Sequence, residues 1–262
     1  MSHFNLIICH DADALAVRAA EMIVRSAREA VEQRRQFTLV LSGGSTPEKT
    51  NRRLAGSETA ATIDWSKTWL FFGDERFVPY DDPANNFGMV QRSLLDHVPV
   101  PKENVFPVPS ACRSADNAAQ QYGQTIARFF GQAAQTAPPP SFDLILLGLG
   151  DDAHTASLFP GMPALEVKDS WVTASPPGTL PPPVERITLT FPILNRARQV
   201  LFLVAGEKKA EVLREILESQ PSVTKAPAAG VRPESGTVTW LVDGGAAKLL
   251  TPALLERSIK KS

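Results

Sequence analysis

The stretch Asp143-Leu-Ile-Leu-Leu-Gly-Leu-Gly-Asp-Asp-Ala-His-Thr-Ala-Ser-Leu-Phe-Pro160 decides how the chain is read. Its first half is a continuous apolar run, the pattern of a strand buried on both faces of a parallel sheet. The run breaks at Gly148 and Gly150, and Asp151, Asp152 and His154 follow where the strand ends. In open α/β sheets, ligands bind just beyond the carboxyl ends of the strands. A histidine placed there beside carboxylates is suited to proton transfer near neutral pH.

Strand-like runs recur on either side, at 4–8, 37–41, 68–72, 142–147, 186–191, 199–204 and 238–242. Helical patterns fall between several of them. The clearest covers 12–36, where Leu15, Ala19, Met22, Ile23 and Ala30 trace one face; others cover 115–134 and 208–218. Alternation of strand and helix predicts an α/β fold, with a mainly parallel sheet covered by helices on both faces. Either Pro-rich connector, 137–140 or 176–183, can be read as a domain linker, but 137–140 is short and leads directly into a strand, which favours an internal loop. The expectation is one domain over 1–262 with a small lid-like subregion.

The 262 residues suffice for a substantial core, and 43% hydrophobic with 21% charged residues is ordinary for a globular protein. A formal net charge of −1 argues against a general nucleic-acid surface. Cys9 and Cys112 are too few for a disulfide framework or a thiolate metal site. No apolar run approaches membrane-spanning length and no basic-then-apolar leader opens the chain. A cytoplasmic monomer without membrane contact is the expectation.

Leu39-Val-Leu-Ser-Gly-Gly-Ser-Thr-Pro47 is a second strand feeding a Gly-Gly turn into a helix. Ser45 or Thr46 is expected to cap that helix, with Pro47 in its first turn. Gly43 and Gly44 let backbone N–H groups approach an anion such as phosphate, although P-loop spacing is absent. Gly73-Asp-Glu-Arg-Phe-Val-Pro79 sets three charges after a third strand, in what reads as a loop; Arg76 can fork onto a phosphate, and Asp74 or Glu75 can orient polar groups. Asn85 and Asn86 follow in a loop over the same edge.

Three other chemistries are weighed for the 148–160 stretch. Gly148-Leu-Gly150-Asp-Asp-Ala153 fits a loose dinucleotide fingerprint. However, Asp151 and Asp152 would repel a pyrophosphate, and Pro160 leaves only about two turns for the helix that fingerprint needs. A metal held by Asp151, Asp152 and His154 lacks a further ligand at suitable spacing. Ser157 lies in no Gly-x-Ser-x-Gly elbow.

In order and spacing the chain resembles the 6-phosphogluconolactonase family along almost its whole length. The matching stretches are Leu41-Ser-Gly-Gly-Ser-Thr-Pro47, Gly73-Asp-Glu-Arg-Phe-Val-Pro79, Asn86, Gly148-Leu-Gly150 with Asp152, and His154-Thr-Ala-Ser-Leu-Phe-Pro160. They continue through Glu185-Arg-Ile-Thr-Leu-Thr190, Gly206-Glu-Lys-Lys-Ala210 and Trp240-Leu-Val-Asp243. One residue departs: where the family reads Asp-Gly-His, this chain has Ala153, and a positive φ there would carry a steric cost.

The resemblance implies a Rossmann-like sheet and hydrolysis of 6-phospho-D-glucono-1,5-lactone, the second step of the oxidative pentose phosphate pathway, with no metal or organic cofactor. It implies His154 as general base, Asp152 as its orienting partner and Asp74 as a further carboxylate. Backbone N–H groups near Gly43, Gly44 or the 148–153 turn would hold the oxyanion. Arg76, Arg186 and Lys209 would anchor the phosphate, supplemented by Ser45 and Thr46, with Lys208 left to solvent. The sugar-phosphate lactone is the one partner expected; His3, His10 and His97 read as surface or loop histidines. The nearest alternative is a glucosamine-6-phosphate deaminase, but such enzymes read Asn-Glu-Pro where this chain has Leu158-Phe-Pro160. A sugar-phosphate sensor would carry a DNA-binding module ahead of the sheet, whereas here a strand starts at Phe4.

Overall fold

A computed structural model describes residues 4–132, 138–178, 182–256 and 258. The end of the expected 115–134 helix, Ala137, residues 179–181 of the second Pro-rich connector, His3 and Lys260-Lys261 lie outside the described residues. Nine strands are described: β1 (Phe4–Cys9), β2 (Phe37–Leu41), β3 (Thr68–Phe72), β4 (Asp74–Arg76), β5 (Leu144–Leu147), β6 (Val172–Ser175), β7 (Arg186–Leu189), β8 (Gln199–Val204) and β9 (Thr237–Asp243). The helices used below are α1 (Ala12–Arg34), α2 (Ser45–Leu54), α3 (Ser57–Ala60), α4 (Asn86–Ser93) and α5 (Ala115–Phe129).

Six strands form an all-parallel sheet in the order β1-β9-β8-β5-β2-β3. Every residue of β2 and β5 is buried, so both faces are covered, as the unbroken apolar runs require. Phe71 packs on Phe129 of α5, whereas Phe72 packs on Phe87 of α4. Successive strand residues point to opposite faces, so these two helices cover opposite sides of the β3 edge. At the amino ends of β2 and β5, buried Asp143 accepts from the Thr38 N–H (2.8 Å), Thr38 Oγ1 (2.9 Å) and Arg34 Nε (2.8 Å). That clamp leaves the carboxyl ends free for other work.

The sequence reading requires three corrections. The 186–191 run does not join the main sheet: β7 pairs antiparallel with β4 and β6 in a second, three-stranded sheet, and Phe191 opens a short helix. Gly73–Pro79 is not simply a loop, because Asp74–Arg76 is β4. Asn85 and Asn86 do not sit in a loop either; Asn85 caps α4 through its side chain, accepting from the Gly88 N–H at 2.8 Å, and Asn86 is the first helical residue. Short strands with charged residues carry little periodic signal, and only pairing across the fold makes them strands.

Chain direction places a crevice. From β2 the chain continues to its neighbour β3 on one side, and from β5 to its neighbour β8 on the other; β2 and β5 are themselves adjacent. Connections that diverge from adjacent strands leave an opening above their carboxyl ends. The Gly43-Gly44 turn follows β2, and the His154 turn follows β5.

Candidate active site

The wall from β2 is set by Gly44, at φ +106°. A left-handed backbone here suits glycine, and it makes Gly44 the cap of α2; contrary to expectation, neither Ser45 nor Thr46 caps, and both are first-turn residues with Pro47. With no side-chain cap on the helix, the first-turn N–H groups of Ser45 and Thr46 have no intrahelical acceptor, which favours an anion. Gly43 is required for space: a Cβ there would lie within van der Waals overlap of the Asn86 carboxamide, 1.9 Å from its Oδ1.

The opposite wall is the turn after β5. It does not continue into a helix, which removes the dinucleotide-fingerprint reading. The Gly150 N–H donates to the His154 carbonyl (2.9 Å) and the Ala153 N–H to the Gly150 carbonyl (3.1 Å), so neither is left for an oxyanion. Ala153 is buried at φ +68°, the strained conformation its departure from glycine raised. His154 nevertheless reaches Asp152: Nδ1 lies 2.5 Å from Oδ1, and the His154 N–H donates to the same oxygen at 3.2 Å. Gly150 is bare because a Cβ would meet the His154 ring at 2.0 Å. Burial pushes the Asp152 carboxyl up, but hydrogen bonds and charge from His154 outweigh it and hold it below the usual carboxylate range.

The third wall is the β4–β7 ribbon. Asp74 and Arg76 face the cavity from β4, and Arg186 from β7. Arg76 and Arg186 are register partners, directly across from each other. Each places one bond on a carbonyl (Arg76 Nη1 to Ala84, 2.6 Å; Arg186 Nη2 to Pro182, 3.1 Å), while each Nε is buried with no hydrogen-bond partner among the described residues. Burial pulls the Arg186 guanidinium below its ordinary range, and the Arg76 charge adds to that against the opposing pull of Asp74. The turn and ribbon are stitched together by Ser157, whose Oγ donates to Asp74 Oδ2 at 2.6 Å and whose N–H donates to Thr188 Oγ1 at 3.1 Å.

Lys209 closes the fourth side from the turn after β8. Gly206, at φ +98°, starts that turn and donates its N–H to both oxygens of Asp243, 3.0 Å each. Lys209 is half-buried and its Nζ lies 2.5 Å from Asp151 Oδ1, whereas Lys208 is exposed. Among the described residues no group of three or more His, Cys, Asp or Glu side chains converges as a metal site.

One cavity of about 220 Å³ is lined by Gly43, Gly44, Ser45, Thr46, Asp74, Arg76, His154, Arg186 and Lys209 together. Asp152 stands behind His154. His10 and His97 are exposed and do not line this cavity. One participant was missed. Phe159 lies against the His154 ring (centroids 4.7 Å apart) and under the Arg186 guanidinium (5.5 Å), so it spaces base from cation. Glu75, expected beside Asp74 as a carboxylate that orients polar groups, does not line the cavity but is fully buried beneath the ribbon. As an apolar residue inside a motif, Phe159 gave no separate signal. A cation pair with buried Arg186 beside half-buried Arg76, a turn offering backbone donors and an oriented imidazole suit water attack on a phosphorylated carbonyl compound.

Comparison with known proteins agrees with that chemistry. A family model described as glucosamine-6-phosphate isomerases/6-phosphogluconolactonase matches residues 10–240. The chain is 40% identical to a 6-phosphogluconolactonase of Synechocystis sp., over 91% of this chain and 95% of that protein. It is equally 40% identical to the rat protein of that name, over 90% of each. Among solved structures, a 6-phosphogluconolactonase from Trypanosoma cruzi superposes with a TM-score of 0.84 at 32% identity, covering 96% of this chain and 98% of that one.

Proposed function

The chain belongs to the glucosamine-6-phosphate isomerase/6-phosphogluconolactonase family, and from that premise we propose that it hydrolyses 6-phospho-D-glucono-1,5-lactone to 6-phospho-D-gluconate in the oxidative pentose phosphate pathway. The observation that carries this reading is the opposed Arg76–Arg186 pair with its two unpartnered, buried Nε groups, in the same cavity as His154. Like charges facing each other across strands destabilise a sheet, so such a pair calls for a dianion between them.

The proposed mechanism follows from the donors and acceptors. Arg76, Arg186 and Lys209 hold the phosphate with the Ser45 and Thr46 end of α2, and Lys209 exchanges Asp151 for the ligand. A carboxylate only accepts hydrogen bonds, so neutral His154 donates Nδ1–H to Asp152 and keeps its lone pair on Nε2. Nε2 takes a proton from water as the oxygen adds to the lactone carbonyl. When the tetrahedral intermediate collapses, the ring C–O bond breaks and His154 returns the proton to the departing alkoxide. With Gly150 and Ala153 committed inside their own turn, the Gly43-Gly44 side is the better source of oxyanion donors. Asp74, held by Ser157, fixes the substrate hydroxyls or the water.

The reading extends to a single domain whose β4–β7–β6 ribbon is the lid-like subregion, working as a cytoplasmic monomer. Free Cys9 and Cys112 and the scattered exposure of Val17, Tyr80 and Leu249 support that setting. No helix among the described residues is long and apolar enough to cross a membrane.

The decisive test is hydrolysis of freshly generated lactone, read by coupled consumption of 6-phosphogluconate and corrected for spontaneous ring opening. Turnover well above background is expected. Background-level opening, or turnover of glucosamine 6-phosphate instead, would overturn the reading.

A further inference from the structure

Strand alternation sends Asp74 and Arg76 into the cavity and Glu75 the other way, to a site with no exposed surface. A carboxylate buried there needs donors, and it has three, all backbone. Oε1 accepts from the Asn86 N–H (2.6 Å) and the Arg76 N–H (2.8 Å); Oε2 accepts from the Phe87 N–H (2.8 Å). These bonds join the ribbon to the amino end of α4. Asn86 completes the link by donating Nδ2–H to the Asp74 carbonyl at 2.9 Å while its carboxamide fills the space left by Gly43.

We infer that Glu75 is a positioning residue for phosphate binding: it registers α4 against β4, so that Arg76 faces the phosphate and the Ser45-Thr46 end of α2 at a fixed separation. The inference rests on the phosphate-anchoring reading above. Glu75 touches no part of the cavity, so its effect passes through Arg76 and Asn86. Both line the cavity and both donate a backbone N–H to Glu75 Oε1, which makes that oxygen their shared acceptor.

The test compares the wild-type chain with Glu75→Gln and Glu75→Ala. Gln keeps shape and one acceptor oxygen but sets an NH2 donor against an N–H donor; Ala removes all three bonds. The measurements are KM and kcat for the lactone, the Kd for inorganic phosphate by calorimetry, and Tm. In E75Q, KM and phosphate Kd should each rise about tenfold, the effect of misplacing about one charge-assisted hydrogen bond, with kcat changed by less than about threefold. E75A should be worse on the same two constants. If E75A does not fold, E75Q carries the test. A lowered Tm with unchanged KM and phosphate Kd would overturn the inference, as would a loss confined to kcat. Absence of wild-type lactone turnover would defeat the proposed reaction instead; the phosphate Kd of E75Q would still decide the role of Glu75.

Discussion

Arg76 and Arg186 face each other across the antiparallel β4–β7 pair, and the Nε of each is buried with no hydrogen-bond partner among the described residues. Without a ligand, two cations side by side repel each other and leave their buried Nε donors unmade, both of which cost stability. An anion that spans them removes both penalties. On the proposed phosphate-anchoring role, the pair trades stability of the free protein for affinity.

Inorganic phosphate should accordingly raise the Tm of the wild-type protein with a saturable dependence, by mass action on the folded state. The R76A/R186A double variant should show no such rise, and each single variant should raise lactone KM by roughly 10- to 100-fold, as expected for losing charge-assisted hydrogen bonds of about 1.5–3 kcal/mol. Thermal melts across a phosphate titration, together with saturation kinetics, check both. Phosphate-dependent stabilisation retained in the double variant would place the anion elsewhere.

Replacing His154 by alanine should reduce kcat by about 10²–10⁴-fold, the usual contribution of a positioned base. Asp152→Asn should reduce kcat less than H154A, because the imidazole remains but its tautomer and orientation are no longer held by an acceptor-only partner. KM should stay close to wild type in both. Rates are read against spontaneous opening of the lactone at the same pH.

Ala153 offers a test of backbone strain. Its φ of +68° is costly for an L-residue, on the order of 1–2 kcal/mol, and the methyl it buries returns part of that. Ala153→Gly should therefore leave stability equal or higher by up to about 1 kcal/mol, with unchanged kcat, since His154 already makes its contacts to Asp152 and Gly150. Chemical denaturation would measure this. A clear loss of stability would show that the methyl contributes more than the strain removes.

Glu75 predicts a pH dependence of stability. Burial pushes its carboxyl up to about 7, although the N–H groups of Asn86, Phe87 and Arg76 pull the other way and the Asp74 charge adds to the rise. Tyr80, Tyr122 and Arg186 also lie within electrostatic reach of it. A carboxyl titrating higher in the folded than in the unfolded chain binds more protons when folded. Its contribution is thus fully present below the ordinary carboxylate range and is lost as pH rises through about 7. The difference in unfolding free energy between wild type and E75Q should fall by up to roughly 3 kcal/mol from pH 4 to pH 8. Urea unfolding across that range reads it, and a flat difference would refute the titration.

Much of this molecule was legible in its residues. Apolar runs such as Leu144–Leu147 and Phe37–Leu41 specify buried parallel strands, because only a sheet covered on both faces needs no polar alternation. Glycine breaks after them mark where backbone must come close to a ligand, and His154, Asp152 and Arg76 stand out through their chemistry. Other features depended on the whole fold. That Arg186 sits opposite Arg76, that Ser157 holds Asp74, and that Glu75 gathers the start of α4 are contacts between residues 110, 83 and 11 positions apart, respectively. Local pattern cannot specify such pairings, since they arise only when the β4–β7 ribbon folds onto the sheet. The sequence alone determined which groups are candidates for the chemistry; tertiary packing decided which of them are desolvated and facing one another, and desolvation is what turns separated charges into a site.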